Sequence, residues 1–164
     1  MDLLVNRAGT AIWAGLTMRC ALGRAGVSAT KQEGDGATPL GRFAIRCLFF
    51  RADRLARPET RLRARAILRE DGWCDAPDDA EYNRRVTLPY PASAENLWRE
   101  DSLYDLIVPL GYNDAPIVPG KGSAIFLHLA TPDLSPTAGC VALARADLLR
   151  VLAEADRQSQ VIVD

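Results

Sequence analysis

The sequence predicts one α+β domain that is mainly β, and three observations lead to this fold class. Several short segments carry an apolar residue at every second position, which is the period of a half-buried strand. Only one segment, near the C-terminus, has the spacing of a good amphipathic helix. The 164 residues contain no repeat and no low-complexity linker, and they suffice for one core. We therefore expect a single domain over residues 1–164.

Six segments are predicted to be strands from their alternation and their aliphatic or aromatic content. In chain order these segments are TMRCALG, RFAIRCLFF, YDLIVPLGY, SAIFLHLA, CVAL and QVIVD. In RFAIRCLFF, the alternation places on one face Phe43, Ile45, Cys47 and Phe49. In YDLIVPLGY, it places on one face Tyr104, Leu106, Val108 and Leu110.

Helices are predicted in two places, of which one is clear. In LARADLLRVLAEAD, an apolar stripe of Leu148, Leu149 and Leu152 lies among good helix formers. RLRARAILRE shows a weaker helical spacing. The segment DGWCDAPDDAEYNRRVTLPYPAS that follows it is rich in Asp, Pro and Asn, which favour loops. We therefore expect a loop-and-helix insertion over about residues 51–100.

The composition argues against several classes of partner. The formal net charge is −1, so no overall positive charge favours nucleic acid or an anionic membrane surface. No run of about 20 apolar residues predicts a membrane span, and the N-terminal residues do not form a convincing signal peptide. Of the 20 basic residues only Lys31 and Lys121 are lysines, and nine arginines lie between Arg42 and Arg69. Two interpretations of these arginines stand: a solvated surface, or binding of the carboxylates of an anionic substrate.

Four cysteines and one histidine limit the available metal chemistry. The cysteines are far apart and form no C-x-x-C pair: Cys20, Cys47, Cys74 and Cys140. With a single histidine they do not complete the usual zinc ligand sets, so we expect no metal and no cofactor. Cys20 and Cys47 lie in strand-like segments and are interpreted as small buried residues. A disulfide between two of the four stays an open alternative.

One cysteine has a context that favours catalysis. Cys140 follows Gly139, and His128, the only histidine, lies 12 positions upstream in an apolar strand beside Phe126. Either residue alone is typical of a buried core. Together, across the turn-rich ATPDLSPTAG loop, they fit a thiol nucleophile and its base, because a nearby imidazolium lowers the pKa of a thiol into the neutral range. The glycine would leave the Gly139 and Cys140 amides free to bind an oxyanion.

A second motif is KQEGDGATPLGRF, which covers residues 31–43. No Gly-Lys-Ser/Thr follows its glycines, so it is not a phosphate-binding loop. Its turn-forming residues predict a tight turn between two strands. These residues are Gly34, Asp35, Gly36 and Pro39.

KQEGDGATPLGRF, the histidine in IFLHLA and TAGCVALARADLLRVL together resemble the L,D-transpeptidase catalytic domain, the YkuD family, over about residues 17–164. The resemblance implies a β-sandwich-like catalytic domain that cross-links peptidoglycan in the periplasm or cell wall, with donor and acceptor stem peptides as partners. It implies that Cys140 is the nucleophile and that His128 is the base, steadied by a backbone carbonyl such as that of Leu129. Gly139 and Cys140 would supply oxyanion amides. The thiolate would hold the donor as a thioester and pass it to the side-chain amine of meso-diaminopimelate.

Three departures from the family pattern concern the donor pocket. The usual Ser/Thr-His-Gly-Cys reads TAGC here, so Ala138 stands in place of a second histidine after Thr137. Ala142 stands where an arginine is frequent, and the interval between the strand histidine and the cysteine is shorter than usual. Thr137 and Ala138 are expected to contact substrate. Because short relatives are associated with an L-alanine–diaminopimelate linkage, we expect this product rather than the usual diaminopimelate–diaminopimelate cross-link.

Further substrate contacts are predicted from loop chemistry. The candidates in the irregular segments are Trp73, Tyr82, Asn83, Arg84, Tyr112 and Asn113. Arg84 or Arg85 is the better candidate for meeting a substrate carboxylate. The alternative is structural, because GYND is also a turn signal and Trp73 would cap the core.

Two other functions fit the same residues. A hydrolase would form the same thioester and use water in place of the acceptor amine, a difference that depends on water exclusion. A non-catalytic module that binds wall peptides would explain Ala138 as decay of the site. The retained histidine and cysteine argue against that module.

Overall fold

The structure, a computed structural model, describes residues 1–164. Fifteen strands and one helix form a mainly β fold, which confirms the predicted fold class. The elements are β1 (Leu3–Asn6), β2 (Thr10–Trp13), β3 (Leu16–Ala21), β4 (Val27–Ser28), β5 (Thr38–Pro39), β6 (Gly41–Ala44), β7 (Leu48–Phe50), β8 (Ala64–Ala66), β9 (Asp71–Cys74), β10 (Arg85–Thr87), β11 (Ala94–Asn96), β12 (Leu106–Pro109), β13 (Phe126–Leu129), β14 (Val141–Leu143), α1 (Arg145–Glu154) and β15 (Gln160–Val163).

The strands form one large curled sheet and two small sheets. The large sheet has ten strands in the order β6-β15-β1-β2-β3-β14-β13-β12-β7-β8 and mixes parallel with antiparallel pairs. The three-stranded sheet has the order β10-β9-β11, and β4 pairs with β5. In the large sheet β3 lies beside β14, so the middle of the sheet joins the N-terminal strands to the segment that carries Cys140.

Strands β1 and β2 form a hairpin that lies outside the predicted strands. Each has only four residues, too few for a clear alternation, although Leu3 and Val5 are buried and Leu4 is exposed. The turn between them needs Gly9, whose φ is +76°. A Cβ at that position would lie 2.9 Å from the carbonyl oxygen of Cys20, closer than van der Waals contact allows.

The RFAIRCLFF segment forms two strands rather than one, so the predicted common face is wrong. β6 pairs with β15 near one edge of the large sheet, whereas β7 pairs with β12 near the other edge. Phe43 and Ile45 lie in the larger of two core clusters, while Phe49 lies in the smaller cluster with Cys47 packed against it. The break between the two strands shifts the alternation.

The strand predicted in YDLIVPLGY is confirmed as β12, but Tyr104 is not part of its face. Leu106, Val108 and Leu110 lie in the larger cluster, as the alternation predicts. Tyr104 precedes the strand and lies in the smaller cluster, together with Ile107 from the opposite face of β12. The strand therefore has apolar side chains on both faces and separates the two clusters.

The predicted insertion contains strands and no helix. RLRARAILRE, predicted as the weaker helix, is extended and includes β8, which pairs in parallel with β7. Pairing at the edge of a sheet has overridden a modest helical propensity. Strands β9, β10 and β11 form the three-stranded sheet, which contacts the large sheet through Trp73 and Phe126. These two rings meet edge to face, with centroids 5.1 Å apart.

Several arginines of this Arg-rich region pair with the protein's own buried carboxylates. Asp71 and Asp105 are each 3% exposed, and each is held by two guanidinium groups. The four ion pairs, all of 2.8 Å, are Arg65–Asp71, Arg85–Asp71, Arg54–Asp105 and Arg145–Asp105. Because an unpaired buried carboxylate would be strongly destabilising, these arginines have a structural role. Arg85, the alternative to Arg84 as a partner for a substrate carboxylate, pairs with a carboxylate of the protein itself.

The C-terminal helix is confirmed as α1. Leu148 and Leu152 are buried in the larger cluster together with Val151, and Leu149 is partly buried against it. The larger cluster contains 26 buried residues and the smaller one contains seven, including Cys140. The site described below lies at the smaller cluster.

None of the four cysteines forms a disulfide. All four cysteines are free, with Cys47 half-buried and the other three buried. No group of three His, Cys, Asp or Glu residues is placed to hold a metal ion. No helix of the protein has the length and apolar character needed to cross a membrane.

Candidate active site

Two adjacent parallel strands place Cys140 and His128 on one face of the large sheet. The register pairs His128 in β13 with Ala142 in β14. Cys140 lies two residues before Ala142, so its side chain points to the same face as that of His128. Both residues line one cavity of about 530 Å³. The predicted proximity of the only histidine to this cysteine is thus present in the structure.

The backbone before the cysteine requires glycine. Gly139 has φ +143°, and a Cβ on it would lie 2.9 Å from the carbonyl oxygen of Ala37. The Gly139 N–H donates to the Thr137 hydroxyl at 3.1 Å, and that hydroxyl donates to the Cys140 carbonyl at 2.7 Å. The Cys140 N–H has no acceptor within the protein. The expectation of two free amides is therefore met by Cys140 alone.

The KQEGDGATPLGRF motif contacts the backbone of Cys140 through a hydrogen bond. The Lys31 amine donates to Asp35 at 2.5 Å, and Asp35 also accepts the N–H groups of Gln32 and Ala37. These bonds fix the predicted turn. The turn leads into Thr38, whose hydroxyl donates to the Cys140 carbonyl at 3.4 Å. The motif thus helps to position the Cys140 carbonyl, directly after Gly139.

The thiol of Cys140 is hydrogen-bonded to the backbone of the neighbouring strand. Its S–H donates to the Ala124 carbonyl at 3.2 Å, and its sulfur accepts the Phe126 N–H at 3.3 Å. Burial raises the pKa of the Cys140 thiol to about 12, and the negative charge of Glu95 acts in the same direction. The expectation of a thiol acidified by His128 is therefore wrong for this state: the thiol is neutral.

The imidazole of His128 is oriented by the backbone. Nδ1 lies 2.8 Å from the Leu129 carbonyl oxygen, so Nδ1 carries the proton and Nε2 is left as the basic nitrogen. This is the carbonyl contact that the family resemblance implied. The ring meets Tyr104 edge to face, with centroids 5.2 Å apart. Burial lowers the pKa of His128 to about 4, so the ring is neutral near pH 7.

Ala124, whose carbonyl accepts the thiol proton, is held by Asn83 through its N–H. Ala124 has φ +52°, an uncommon conformation for a residue with a side chain. Its N–H donates to Asn83 Oδ1 at 3.0 Å, and Trp73 Nε1 donates to the same oxygen at 3.0 Å. The Asn83 amide also donates to the carbonyls of Tyr112 and Asn113. Asn83 therefore fixes the backbone of Ala124 and does not line the cavity that contains Cys140.

Of the eight residues predicted to contact substrate, only Thr137 and Ala138 line the cavity with Cys140. Ala138 is exposed at its mouth. The other six lie elsewhere, where most of their polar groups are bonded within the protein. A separate cavity of about 300 Å³ is lined by Trp73, Asn83 and Arg84. Another, of about 320 Å³, is lined by Tyr112 and Asn113.

The hydrogen bonds of the remaining predicted residues show what they do instead. Tyr82 is 2% exposed and donates to Glu33, and the Gly122 N–H donates to its oxygen. Tyr112 donates to the Lys121 carbonyl at 2.6 Å. The Asn113 side chain closes the loop that contains Val118. Arg84 is exposed, 4.0 Å from Glu81.

Several residues that line the cavity were not among the predicted site residues. The charged ones are Arg24, Lys31, Glu33, Asp75, Glu95 and Arg99. Tyr104 also lines the cavity and contacts His128. The alternation in YDLIVPLGY assigned it to the opposite face, and no local pattern singles out a lone glutamate such as Glu95. Of these residues, Glu95 in β11 and Asp75 directly after β9 reach the cavity through the packing of the three-stranded sheet.

Comparison with known families identifies the class of domain. A family model described as the L,D-transpeptidase catalytic domain, YkuD, matches residues 3–163. The chain therefore belongs to the L,D-transpeptidase catalytic domain family, which confirms the resemblance seen in the motifs. The match also includes the N-terminal hairpin. A search of curated protein sequences found no match.

Two solved structures are similar to this chain at low identity. L,D-transpeptidase 3 from Mycobacterium tuberculosis, in complex with a faropenem-derived adduct, is 14% identical with a TM-score of 0.48, covering 99% of this chain and 59% of that one. The helical cell shape determining protein Pgp2 from Campylobacter jejuni is 17% identical with a TM-score of 0.41, covering 99% of this chain and 46% of that one. This chain thus spans about half of the length of these proteins.

Proposed function

We propose that this protein is a cysteine L,D-transpeptidase that cross-links peptidoglycan through a thioester on Cys140. One observation carries the proposal. The only histidine and a cysteine preceded by a positive-φ glycine lie on one face of two adjacent parallel strands and line one cavity. Membership of the L,D-transpeptidase family supports acyl transfer as the reaction of this pair and peptidoglycan stem peptides as its substrate.

Acylation begins from a neutral thiol and a neutral imidazole. The thiol turns from the Ala124 carbonyl toward His128, whose Nε2 takes its proton as the sulfur attacks the donor carbonyl carbon. The Cys140 N–H is free to stabilise the oxyanion. His128 then returns the proton to the leaving nitrogen, and the donor peptide remains as a thioester. The Leu129 carbonyl keeps Nε2 directed to this task.

The acceptor amine completes the reaction. The nitrogen of the neutral amine attacks the thioester carbon and gives a proton to His128 Nε2, the carbon–sulfur bond breaks with its electron pair on sulfur, and His128 returns the proton to the Cys140 thiol. A new amide joins the two stem peptides, with the side-chain amine of meso-diaminopimelate as the acceptor. If water takes the place of the amine, the same thioester yields a trimmed peptide. The ratio of amide to acid product therefore separates a transpeptidase from a hydrolase.

The bond cleaved in the donor depends on the mouth of the cavity, where Ala138 stands. An imidazole there would occupy space beside the thiol and offer a polar group to the donor. With alanine, the mouth is wider and less polar. A donor shifted in register would then present the L-alanine carbonyl to Cys140. We therefore propose an L-alanine–diaminopimelate cross-link as the product.

The proposed function is tested with purified stem-peptide muropeptides. Products are separated and analysed by tandem mass spectrometry, which shows which residue carries the new amide. An amide between L-alanine and diaminopimelate supports the shifted register. If only diaminopimelate–diaminopimelate amides form, the register is ordinary and Ala138 is a neutral variation. Release of free acid without any amide would make the protein a hydrolase.

A second measurement asks whether the site is catalytic at all. Intact-mass analysis after incubation with a carbapenem should show one adduct, located on Cys140 among the four cysteines. A protein with no adduct and no muropeptide turnover would be a wall-peptide-binding module.

The proposed substrate also implies a location. Assembled peptidoglycan lies outside the cytoplasmic membrane, so we propose that the protein acts in the periplasm or at the cell wall. A fusion to a reporter that folds only in the cytoplasm should be dark. Bright signal together with cross-links that depend on the gene would contradict this location.

A further inference from the structure

The three-stranded sheet contributes two carboxylates to the cavity of Cys140. Glu95 lies in β11 directly opposite Trp73 in β9. Asp75 comes two residues after Trp73, so the alternation of side chains places Asp75 and Glu95 toward the same face of this sheet. Both residues line the cavity that contains Cys140 and His128.

Glu95 is held close to the catalytic pair. The Tyr104 hydroxyl donates to Glu95 Oε1 at 2.5 Å, and the Tyr104 ring contacts the His128 ring. The negative charge of Glu95 also raises the pKa of the Cys140 thiol, so it acts on the sulfur through space. Its second oxygen, Oε2, has no hydrogen-bond partner in the protein. One end of this carboxylate is thus anchored, and the other is available.

Asp75 supplies an independent observation. Its Oδ1 is shielded from solvent and has no hydrogen-bond partner, the only buried side-chain oxygen or nitrogen of the protein in that condition. Enclosed polar atoms are nearly always paired. Neither Asp75 nor Glu95 forms an ion pair with a lysine or arginine, and the nearby Arg99 is paired with Asp101 at 2.5 Å. The cavity therefore presents acceptor oxygens that lack a positively charged donor.

We propose that Glu95 and Asp75 bind the positively charged side-chain amine of the acceptor peptide and hold it beside the thioester on Cys140. This inference rests on the proposed function, whose acceptor is a primary amine. An ammonium group has three N–H donors, which suit the free oxygen of Glu95 and the accessible part of the Asp75 carboxylate at the same cavity. Beside Glu95 and Asp75 the two carboxylates favour an ammonium over an uncharged group, while Arg24 brings the opposite charge to another part of the cavity lining.

The test measures binding without turnover. In a Cys140→Ala protein, meso-diaminopimelate is titrated by NMR or calorimetry and compared with its di-N-acetyl derivative, which lacks the charged amines. The free amine should bind about tenfold more tightly or better, because charge-assisted hydrogen bonds are the strong ones. Equal binding of the two probes, or no binding of meso-diaminopimelate, would overturn the site.

Variants then assign the binding to these residues. Adding Glu95→Gln, which keeps the size and the bond to Tyr104, should weaken binding of meso-diaminopimelate about tenfold, and Asp75→Asn should weaken it by a smaller factor. Glu100→Gln is the matched control. Glu100 is exposed and does not line the cavity, so binding should change by less than about twofold. Unchanged binding in a folded Glu95→Gln protein would overturn the proposal.

The two proposals fail separately. If no adduct forms on Cys140 but amine binding depends on Glu95, the proposed transpeptidase function is wrong and the amine-binding site stands. If an adduct and an amide product form but amine binding does not depend on Glu95, the transpeptidase function stands and the proposed amine-binding site is wrong.

Discussion

The two faces of strand β13 serve different purposes. Leu127 and Leu129 point into the larger cluster, in which all 26 buried residues are hydrophobic. Phe126 and His128 point to the other face, toward the smaller cluster and Cys140. The smaller cluster borders a cavity of about 530 Å³ lined by charged residues. Neighbouring residues of one strand thus face the apolar core on one side and the candidate active site on the other.

The difference between the two faces explains how one buried strand can line an apolar core on one side and a cavity with polar groups on the other. The larger cluster includes residues of β1, β2 and α1 and contains no charged side chain. The other face is covered by the three-stranded sheet, which brings Trp73 against Phe126 but leaves the space that contains the thiol. Burial on this side therefore changes pKa values, because the thiol and the imidazole are both driven to their neutral forms.

The largest expected effect comes from removing the sulfur. Cys140→Ala should abolish turnover and leave the fold intact, because the side chain lies at the rim of the smaller cluster and alanine fits the same backbone. Cys140→Ser should be nearly inactive as well, because a hydroxyl is a poorer nucleophile without a strong base. Muropeptide turnover and thermal melting are the measurements. Activity near that of the wild type in Cys140→Ala would remove this residue from the mechanism.

Replacement of His128 should have the next largest effect on activity. His128→Ala should slow acylation by about 10²- to 10⁴-fold, the contribution expected of a general base. Acylation by a carbapenem is followed by intact mass at several pH values. A Leu127→Ala protein, changed at the neighbouring residue on the opposite face of the strand, should still acylate. A folded His128→Ala protein that acylates at the wild-type rate would show that the imidazole only packs.

Leu127→Ala should have the opposite signature. Leu127 is fully buried in the larger cluster, so truncation should lower the free energy of unfolding by about 2–5 kcal/mol. The remaining folded protein should still acylate, because the catalytic face of the strand is unchanged. Urea unfolding gives the stability, and the acylation rate per folded molecule gives the activity. A loss below about 1 kcal/mol would mean that the larger cluster repacks.

The smallest expected effect is a dependence of stability on pH. His128 titrates at a pKa of about 4 when folded and near 6.5 when unfolded, so the unfolded chain binds the proton first as pH falls. The contribution of neutral His128 is complete above pH 6.5 and declines toward pH 4, by about 3 kcal/mol in all.

Urea unfolding of wild type and His128→Gln between pH 7 and pH 4 measures this term. The glutamine variant should lose less stability over that range. Parallel curves for the two proteins would mean that the imidazole is not desolvated as the structure places it.

Local patterns were sufficient for the elements with strong signals. The Leu148 and Leu152 spacing predicted α1, and the apolar run around His128 predicted β13. They failed where neighbours in space decided the outcome. RLRARAILRE became a strand because β7 offered an edge to pair with, and Tyr104 left its predicted face because β12 begins only at Leu106.

The sequence by itself determined the family and predicted Cys140 and His128 as a candidate nucleophile and base, because the family motifs around Cys140, His128 and Lys31 are short and local. Only the tertiary structure decided which other residues share their cavity. Thr137 and Ala138 do so because they are joined to Cys140 along the chain, whereas Glu95 and Asp75 do so through the three-stranded sheet. The sign of the pKa shifts was also a tertiary property, because desolvation depends on every group packed around the thiol and the imidazole.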